Sequence, residues 1–277
     1  MGEPLPKKQY LDMTKYADSY LKFMHLASEN DHFVNVSTIT LICVLNYGIL
    51  DLKTFTETFN EEGVSIKVPK NNDDELEYSK RGKLKKTFFN QITLNYKDVS
   101  KKSIKLFSNG KVQITGVTCY FECHRIINNI TDWINKSVQL AKYEVSDAYI
   151  GMLNINFSVK HLIDLPSLNR ILNSFDNVMA VYNPETYPAI NMKLQDTEEY
   201  IPNSPKKTTS MFIFGTGNIV VTGNKCIDGA IRAYEFITKV IFDHPTLLKR
   251  PHPRKPKDND MFIEGYSVRQ YISCIGN

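Results

Sequence analysis

Cys119, Cys123 and His124 stand close enough together to suggest a metal site, since thiolate and imidazole are the ligands zinc prefers. They fall on a stretch of helical periodicity with no second ligand pair nearby, so half-buried helix positions are the simpler reading. Catalytic spacings are missing. The chain has no His-Glu-x-x-His, no Gly-rich phosphate loop and no spaced Cys-His pair, and Asp132 and Glu235 lie on helical stretches without an acid–base partner. This points to a protein that is not an enzyme and needs no metal or cofactor. What recurs instead is Phe, Val, Thr, Asn, Gln and Lys on alternating strand positions. One set is Lys105, Phe107, Gln113 and Thr115, and a second is Phe212, Phe214, Val220 and Thr222, joined by Asn154 and Asn156. Rings can stack or wedge, amides can donate and accept, and Lys111 and Lys193 can neutralise phosphates.

These residues belong to an internal repeat. Around Phe107 the chain reads IKLFSNGKVQITGV and around Phe214 it reads MFIFGTGNIVVTGN. Each copy gives a strand, a short turn with Gly110 or Gly217, and a second strand ending in Thr115-Gly116 or Thr222-Gly223, which is a hairpin pattern. A long amphipathic stretch follows in both. It runs from about Cys119 to Val138, with Ile126, Ile127, Ile130, Trp133 and Ile134 on one face. In the second copy it runs from about Cys226 to Phe242, with Ile227, Ile231, Tyr234, Ile237 and Ile241 at helical spacing. Upstream, FVNVSTITLICVL precedes a short helix opened by Asp51 as N-cap, and YIGMLNINFSVKHLI precedes DLPSLNRILNSF with Pro166 in its first turn. One long helix per copy covers one sheet face, which leaves the other open.

The repeats divide the chain into an N-terminal extension (1–27), a first repeat (28–142) with an inserted loop (67–86), a second repeat (148–243) with an inserted loop (195–209), and a basic tail (244–277). In the tail, Lys249, Arg250, Arg254, Lys255 and Lys257 could hold phosphates, act as an import signal, or simply be solvated. The chain has 277 residues, 42% apolar and 23% charged, with a formal charge of +4, so whole-chain disorder is excluded and a polyanionic partner is permitted. No apolar run reaches the roughly 18–20 residues of a membrane helix. The N-terminus lacks the apolar core of a secretory signal, and Gly2 lacks the following Ser or Thr of a myristoylation motif. Five cysteines, an odd count spread along the chain, read as free thiols in a reducing compartment.

The second copy carries YNPETYPAINMKL at Tyr182–Leu194 and MFIFGTGNIVVTGNK at Met211–Lys225, and the first carries LFSNGKVQITG. On these residues the chain resembles the TATA-box-binding protein family, over most of residues 33–242. Its loops, extended tail and Asn- and Lys-rich sequence look like the versions encoded by large nucleocytoplasmic DNA viruses. The resemblance implies an α+β fold, a pseudo-twofold saddle of two tandem repeats whose curved antiparallel sheet carries its helices on the convex face. It also implies a general transcription initiation factor that binds and bends AT-rich promoter DNA through the minor groove. Such a factor recruits a transcription factor IIB-like partner and RNA polymerase, inside the cell, either in a viral replication factory in the host cytoplasm or in the host nucleus. The wedge pairs map onto Phe107 with Phe89, and Phe214 with Tyr187, where the family has Phe rather than Tyr. Glu185 maps onto the position that holds the next transcription factor. Lys105 replaces an apolar residue, and Asn35 matches a central Asn only if the strand register is not slipped by one.

Alternation places Phe212, Phe214, Val220 and Thr222 together on one face, as it does Asn154 with Asn156. Phe212 and Phe214 would be core if that face were covered, and, separately, Asn154 and Asn156 could be ordinary edge polar residues. An open face of this composition suits a groove floor, because apolar and Thr contacts tolerate A·T edges and Asn can donate to their acceptors. The competing reading keeps the fold but makes it a protein-interaction scaffold in viral transcription, with weak or no sequence-specific DNA binding.

Overall fold

The computed structural model describes residues 13–32, 34–68, 90–97, 101–117, 122–195, 208–252, 262–263 and 266–267. The fold is α+β, and its elements repeat in one order. The first series is β1 (Asn35–Leu45), α2 (Leu52–Thr58), β2 (Val64–Lys67), β3 (Gln91–Lys97), β4 (Lys101–Phe107), β5 (Lys111–Val117) and α3 (Glu122–Ser137). The second is β6 (Val145–Ser158), α4 (Leu165–Leu172), β8 (Val178–Val181), β9 (Ala189–Gln195), β10 (Thr208–Phe214), β11 (Asn218–Asn224) and α5 (Ile227–Asp243), with a short β7 (His161–Ile163) after β6. Strand order repeats as well: β2-β3-β4-β5-β1 in one series and β8-β9-β10-β11-β6 in the other.

The chain forms two compact units. One takes in the described residues of Thr40–Val117 and Phe121–Tyr149, and the other those of Asp12–Ile39 and Ile150–Asn277. In the first unit, Ile92, Leu94, Ile104, Leu106, Val112 and Ile114 are buried, each alternating with a half-exposed neighbour. Helix α3 contributes Ile126, Ile127, Ile130, Trp133 and Ile134 to the same core. Trp133 packs edge-on against Phe59 and Tyr96, with ring centroids 6.0 and 5.4 Å apart. Asp51 caps α2 by accepting from the backbone N–H of Lys53 and Thr54, and the bond from the Thr54 hydroxyl, followed by those backbone bonds, holds its carboxyl below the usual range. Lys102 is fully buried on the core side, where its ammonium lies 2.7 Å from the buried Glu122 carboxylate. A charge can occupy that position only when paired. Cys123 is also buried there, and desolvation raises its thiol well above the usual value.

In the second unit, Ile190, Met192, Met211, Ile213, Ile219, Val221, Leu153, Ile155 and Phe157 form the buried strand face. Helix α5 covers it with Ile227, Ile231, Tyr234, Ile237 and Ile241. A further helix, α1 (Met13–Glu29), packs on α5 through the buried Tyr20, Phe23 and Ala27, with the Phe23 and Tyr234 rings 5.3 Å apart. His32 follows it, buried between the rings of Phe157 and Phe242, and its Nδ1 lies 2.9 Å from the Tyr234 hydroxyl.

Repeated glycines have repeated reasons. Gly110 (φ +73°) and Gly217 (φ +81°) turn the two hairpins, and a side chain at either would run into the carbonyl of Tyr47 or His161. The Gly of each Thr-Gly pair also has positive φ, and at Thr222-Gly223 the register with β6 shifts.

Three features differ from the sequence reading. YIGMLNINFSVKHLI is not one strand: β6 ends at Ser158, Lys160 takes a left-handed conformation, and β7 leaves to pair with β12 (Leu248–Pro251). The start of the basic tail is therefore a strand, entered through a short 3-10 turn at Pro245–Leu247 with Leu247 buried. Lys249 and Arg250 sit on that strand, while Arg254, Lys255 and Lys257 lie outside the described residues. The two inserts also occupy different joints, one between β2 and β3 and the other between β9 and β10. All but the margins of both inserts lie outside the described residues.

Candidate nucleic-acid interface

Strand register fixes which side chains stand in a row on the face opposite the helices. In the second unit, Val181, Asn191, Phe212, Val220 and Asn156 are successive cross-strand neighbours from β8 to β6. The adjacent row is Met179, Lys193, Ser210 and Thr222, and the Thr222 hydroxyl donates to Asn154 Oδ1 at 2.5 Å. That bond uses the Asn154 oxygen and leaves its amide NH2 as the end able to donate outward. Asn156 Oδ1 is buried with no hydrogen-bond partner among the described residues.

Every one of these residues alternates with a buried core neighbour. Phe212, Phe214, Val220, Thr222, Asn154 and Asn156 are half-exposed, while Met211, Ile213, Ile219, Val221, Ile155 and Phe157 are fully buried. Outward rings and inward aliphatics on one strand are what a sheet with a single helix layer produces. At the end of β10, the Tyr187 ring stands 5.7 Å from Phe212 and 6.1 Å from Phe214. Tyr187 is 46% exposed, and on edge strand β8 Met179 and Val181 are each 59% exposed. These side chains present apolar surface to water, with Asn191 and Lys193 of β9 standing between those of β8 and β10.

Tyr187 is held there by local chemistry. Asn183 opens the turn Asn183-Pro184-Glu185-Thr186-Tyr187, and its carbonyl accepts from the N–H groups of both Thr186 and Tyr187. Its side-chain Oδ1 accepts from the Glu185 N–H at 3.1 Å, which leaves the Glu185 side chain exposed on the turn.

The first unit has the corresponding rows. Lys67, Thr93, Lys105 and Gln113 are cross-strand neighbours, as are Ser65, Asn95, Ser103 and Thr115. Thr115 donates to the Ser103 carbonyl at 3.2 Å. Phe107 stands at the end of β4 opposite Gln91, half-exposed, and Lys111 is exposed at the start of β5. Phe89 lies outside the described residues. Asn35 lies on the half-exposed side of β1 with Ser37. The alternation then slips by one at Ser37 and Thr38, the counterparts of Gly151 and Met152 in β6. None of the row positions in either unit carries a carboxylate, so the face presents amides, hydroxyls, apolar groups and ammonium groups only. Such a face cannot bind a metal ion through the usual anionic ligands, but it suits a polyanion with hydrogen-bond acceptors on its edges.

The row partners Met179, Val181, Asn191 and Ser210, and Ser65, Lys67, Thr93, Asn95 and Ser103 in the first unit, were not among the residues sequence reading singled out. Their signal was present in the period-two patterns VMAV, AINMKL and QITLNYK.

Residues 152–244, which hold β8–β11 and α5, match the family model described as transcription factor TFIID (or TATA-binding protein, TBP). A TATA-box-binding protein-like chain of Acanthamoeba polyphaga mimivirus is 26% identical over 264 residues, covering 82% of this chain and 69% of its own length. The TATA-box-binding protein of Methanococcus maripaludis (strain C6) is 26% identical over 145 residues, covering 51% of this chain and 68% of its own. The solved structure of Methanococcus jannaschii TBP aligns with a TM-score of 0.46 at 22% identity, covering 76% of this chain and 99% of that one. That family is a class of transcription factor rather than of enzyme. Among the described residues no helix is long and apolar enough to cross a membrane. The second repeat is thus similar to the TATA-binding protein family, and the chain as a whole is similar to a diverged, virus-encoded TATA-box-binding protein-like chain.

Proposed function

We propose that the protein is a transcription initiation factor that binds AT-rich promoter DNA through the minor groove and bends it, using the carboxylate-free face of both units. The observation that carries this reading is the row Val181, Asn191, Phe212, Val220 and Asn156, exposed at Val181 and Asn191 and half-exposed at the other three, with the Tyr187 and Phe214 rings beside it at the end of β10. A·T pairs present only acceptors on their minor-groove edges, and the Asn154 amide can donate to them. Val220 and Thr222 meet the same edges without needing a donor from the base. Rings at a strand end can enter between base pairs and unstack them, which costs a few kcal/mol per step and is offset by the extra surface a bent duplex buries. Lys193 and Lys111 supply phosphate contacts. In Tyr187 the hydroxyl needs water or a base edge as partner, which limits how deeply that ring inserts. Glu185, exposed on its turn, is the position proposed to hold a transcription factor IIB-like protein, through which RNA polymerase is recruited. Such a protein would work where the viral or host promoter is transcribed.

The test is a bend reporter on an AT-rich duplex, with wild-type protein and with Phe107→Ala combined with Phe214→Ala. The reading expects saturable binding by both and bending by the wild type alone. Bending that survives the double substitution would show that these rings are not the wedges. A salt titration addresses binding itself: the logarithm of affinity falls linearly with the logarithm of salt concentration if phosphates are neutralised.

A further inference from the structure

Phe107 and Phe214 are each tied to their own unit by a short series of bonds, and the series is the same in both. Each ends the strand that enters a hairpin turn, and its carbonyl accepts from the turn glycine, Gly110 N–H at 3.0 Å and Gly217 N–H at 2.9 Å. The glycine carbonyls accept in turn from Leu45 N–H at 2.9 Å and Val159 N–H at 3.0 Å, where β1 and β6 end. Two residues further on, the carbonyls of Tyr47 and His161 lie against the same glycines. Asn46 and Lys160 are the equivalent residues between these anchors. Whatever holds them fixes how the turn, and the ring on it, is presented.

The two are held differently. Asn46 is held by the segment that follows α3: its N–H donates to the Glu144 carbonyl at 2.8 Å, its Nδ2 donates to the Lys142 carbonyl at 3.1 Å, and its Oδ1 accepts from Glu144 N–H at 3.0 Å. Lys160 uses other partners. Its carbonyl accepts from His252 N–H at 2.7 Å, at the end of β12, and its ammonium lies 2.5 Å from an Asp31 carboxylate oxygen, just past α1. Asp31 (φ +54°) and Lys160 (φ +57°) are the non-glycine residues with positive φ among the described ones, and they bond to each other. Lysine rarely adopts that left-handed conformation, so the surroundings must enforce it, and enforced backbone of this kind concentrates where geometry serves function. The enforcing elements, α1 and β12, precede and follow the repeated series and have no place in it.

We propose that Asn46 and Lys160 are positioning residues for the two wedge rings, and that in the second unit α1 and β12 act as a clasp on Lys160 that holds the Phe214-bearing turn for insertion. This rests on the reading of Phe107 and Phe214 as wedges. Unstacking a base step pushes back on the ring that enters it, and a turn free to swing would yield in place of the DNA. The first unit resists through one buttressing amide built into the repeat. The second resists through an ion pair and a backbone bond supplied by the two ends of the chain, so the first strand of the tail serves here through its backbone.

The experiment places 2-aminopurine, whose emission rises when it is unstacked, at one end or the other of an AT-rich site and reads it with saturating protein. Phe107→Ala and Phe214→Ala identify the step that each ring enters. Asp31→Asn, which tolerates the left-handed conformation, should lower the unstacked-to-stacked ratio at the Phe214 step by about two- to fivefold, the worth of an exposed ion pair, and leave the Phe107 step unchanged. Lys160→Asp should lower it at least as much, and combining that change with Asp31→Lys should restore the signal, because the exchange remakes the pair. Asn46→Ala should act at the Phe107 step only, by about fivefold or more, since it removes two side-chain hydrogen bonds. A general loss of stability would lower both steps together. Equal loss at both ends, no loss at either, or no recovery in the exchange would therefore overturn the inference and leave the wedges in place. If the wild-type protein unstacks neither step, the wedge reading fails and takes this inference with it.

Discussion

His32 makes a measurable commitment about the second unit. It is buried between the Phe157 and Phe242 rings and held to the Tyr234 hydroxyl, which Asn30 Nδ2 also reaches at 3.3 Å. Burial lowers its pKa from 6.5 to about 4; the Lys160 ammonium pushes the same way, the Asp31 carboxylate opposes, and His161 adds a small further decrease. The unfolded chain takes up a proton near pH 6.5 and the folded chain does not until about pH 4, so stability falls as pH drops through that window. Two and a half units at about 1.4 kcal/mol each give a loss of about 3.5 kcal/mol, complete only below about pH 4. Asp31, whose carboxyl is lowered by its bond to Lys160, adds its own loss only below the ordinary carboxylate range. The assay is urea unfolding at about pH 7 and about pH 4.5, for wild type and for His32→Phe, which keeps the ring packing and removes the titration. Trp133, the chain's one tryptophan, lies in the first unit, so its fluorescence separates that unit's transition from the total helical signal. The variant should lose less stability than wild type on acidification, by most of that amount. Equal losses in the two proteins would show that His32 protonates without penalty and that its pocket is not dry.

Gly217→Ala should destabilise the second unit by more than the about 1–2 kcal/mol of its left-handed conformation, because the new Cβ meets the His161 carbonyl. Gly223→Ala has a similar positive φ but open space, so it should show only the conformational part; thermal melts of the two variants that agree would count against the steric argument. Lys193→Ala should make the salt dependence of DNA affinity shallower by about 0.9 in log–log slope and leave AT preference unchanged, and an unchanged slope would remove Lys193 from the phosphate contacts.

Much of the fold was legible in the sequence because it follows from local physics. The Ile, Tyr and Trp stripes of α3 and α5 have a period of 3.6, Asp51 is a capping residue with its acceptor in place, and Gly110 and Gly217 mark turns that only glycine makes easily. Alternation on β4, β5, β10 and β11 separated core from open face because one face of each strand is buried. Helix α1 was missed although Tyr20, Phe23 and Ala27 form a stripe, since its apolar face is short and its partner α5 lies some 200 residues away in the chain. The pairing of β12 with β7 was missed for a similar reason: a Pro- and Lys-rich segment carries no strand signal, and a distant edge recruits it. The polar lining of the first unit was visible at Lys105, Gln113 and Thr115. Its full extent, with Ser65, Lys67, Thr93, Asn95 and Ser103, needs the cross-strand register, which the composition of single strands does not supply.

The central claim is that the open face of these sheets is a minor-groove surface that deforms AT-rich DNA. Fluorescence energy transfer between the ends of a short duplex, measured on adding the wild-type protein, tests it most directly. The account predicts a saturable rise in transfer for a duplex with an AT-rich core and little or none for a GC-rich duplex of equal length. Binding to both with no rise in transfer, or no binding to either, would contradict it.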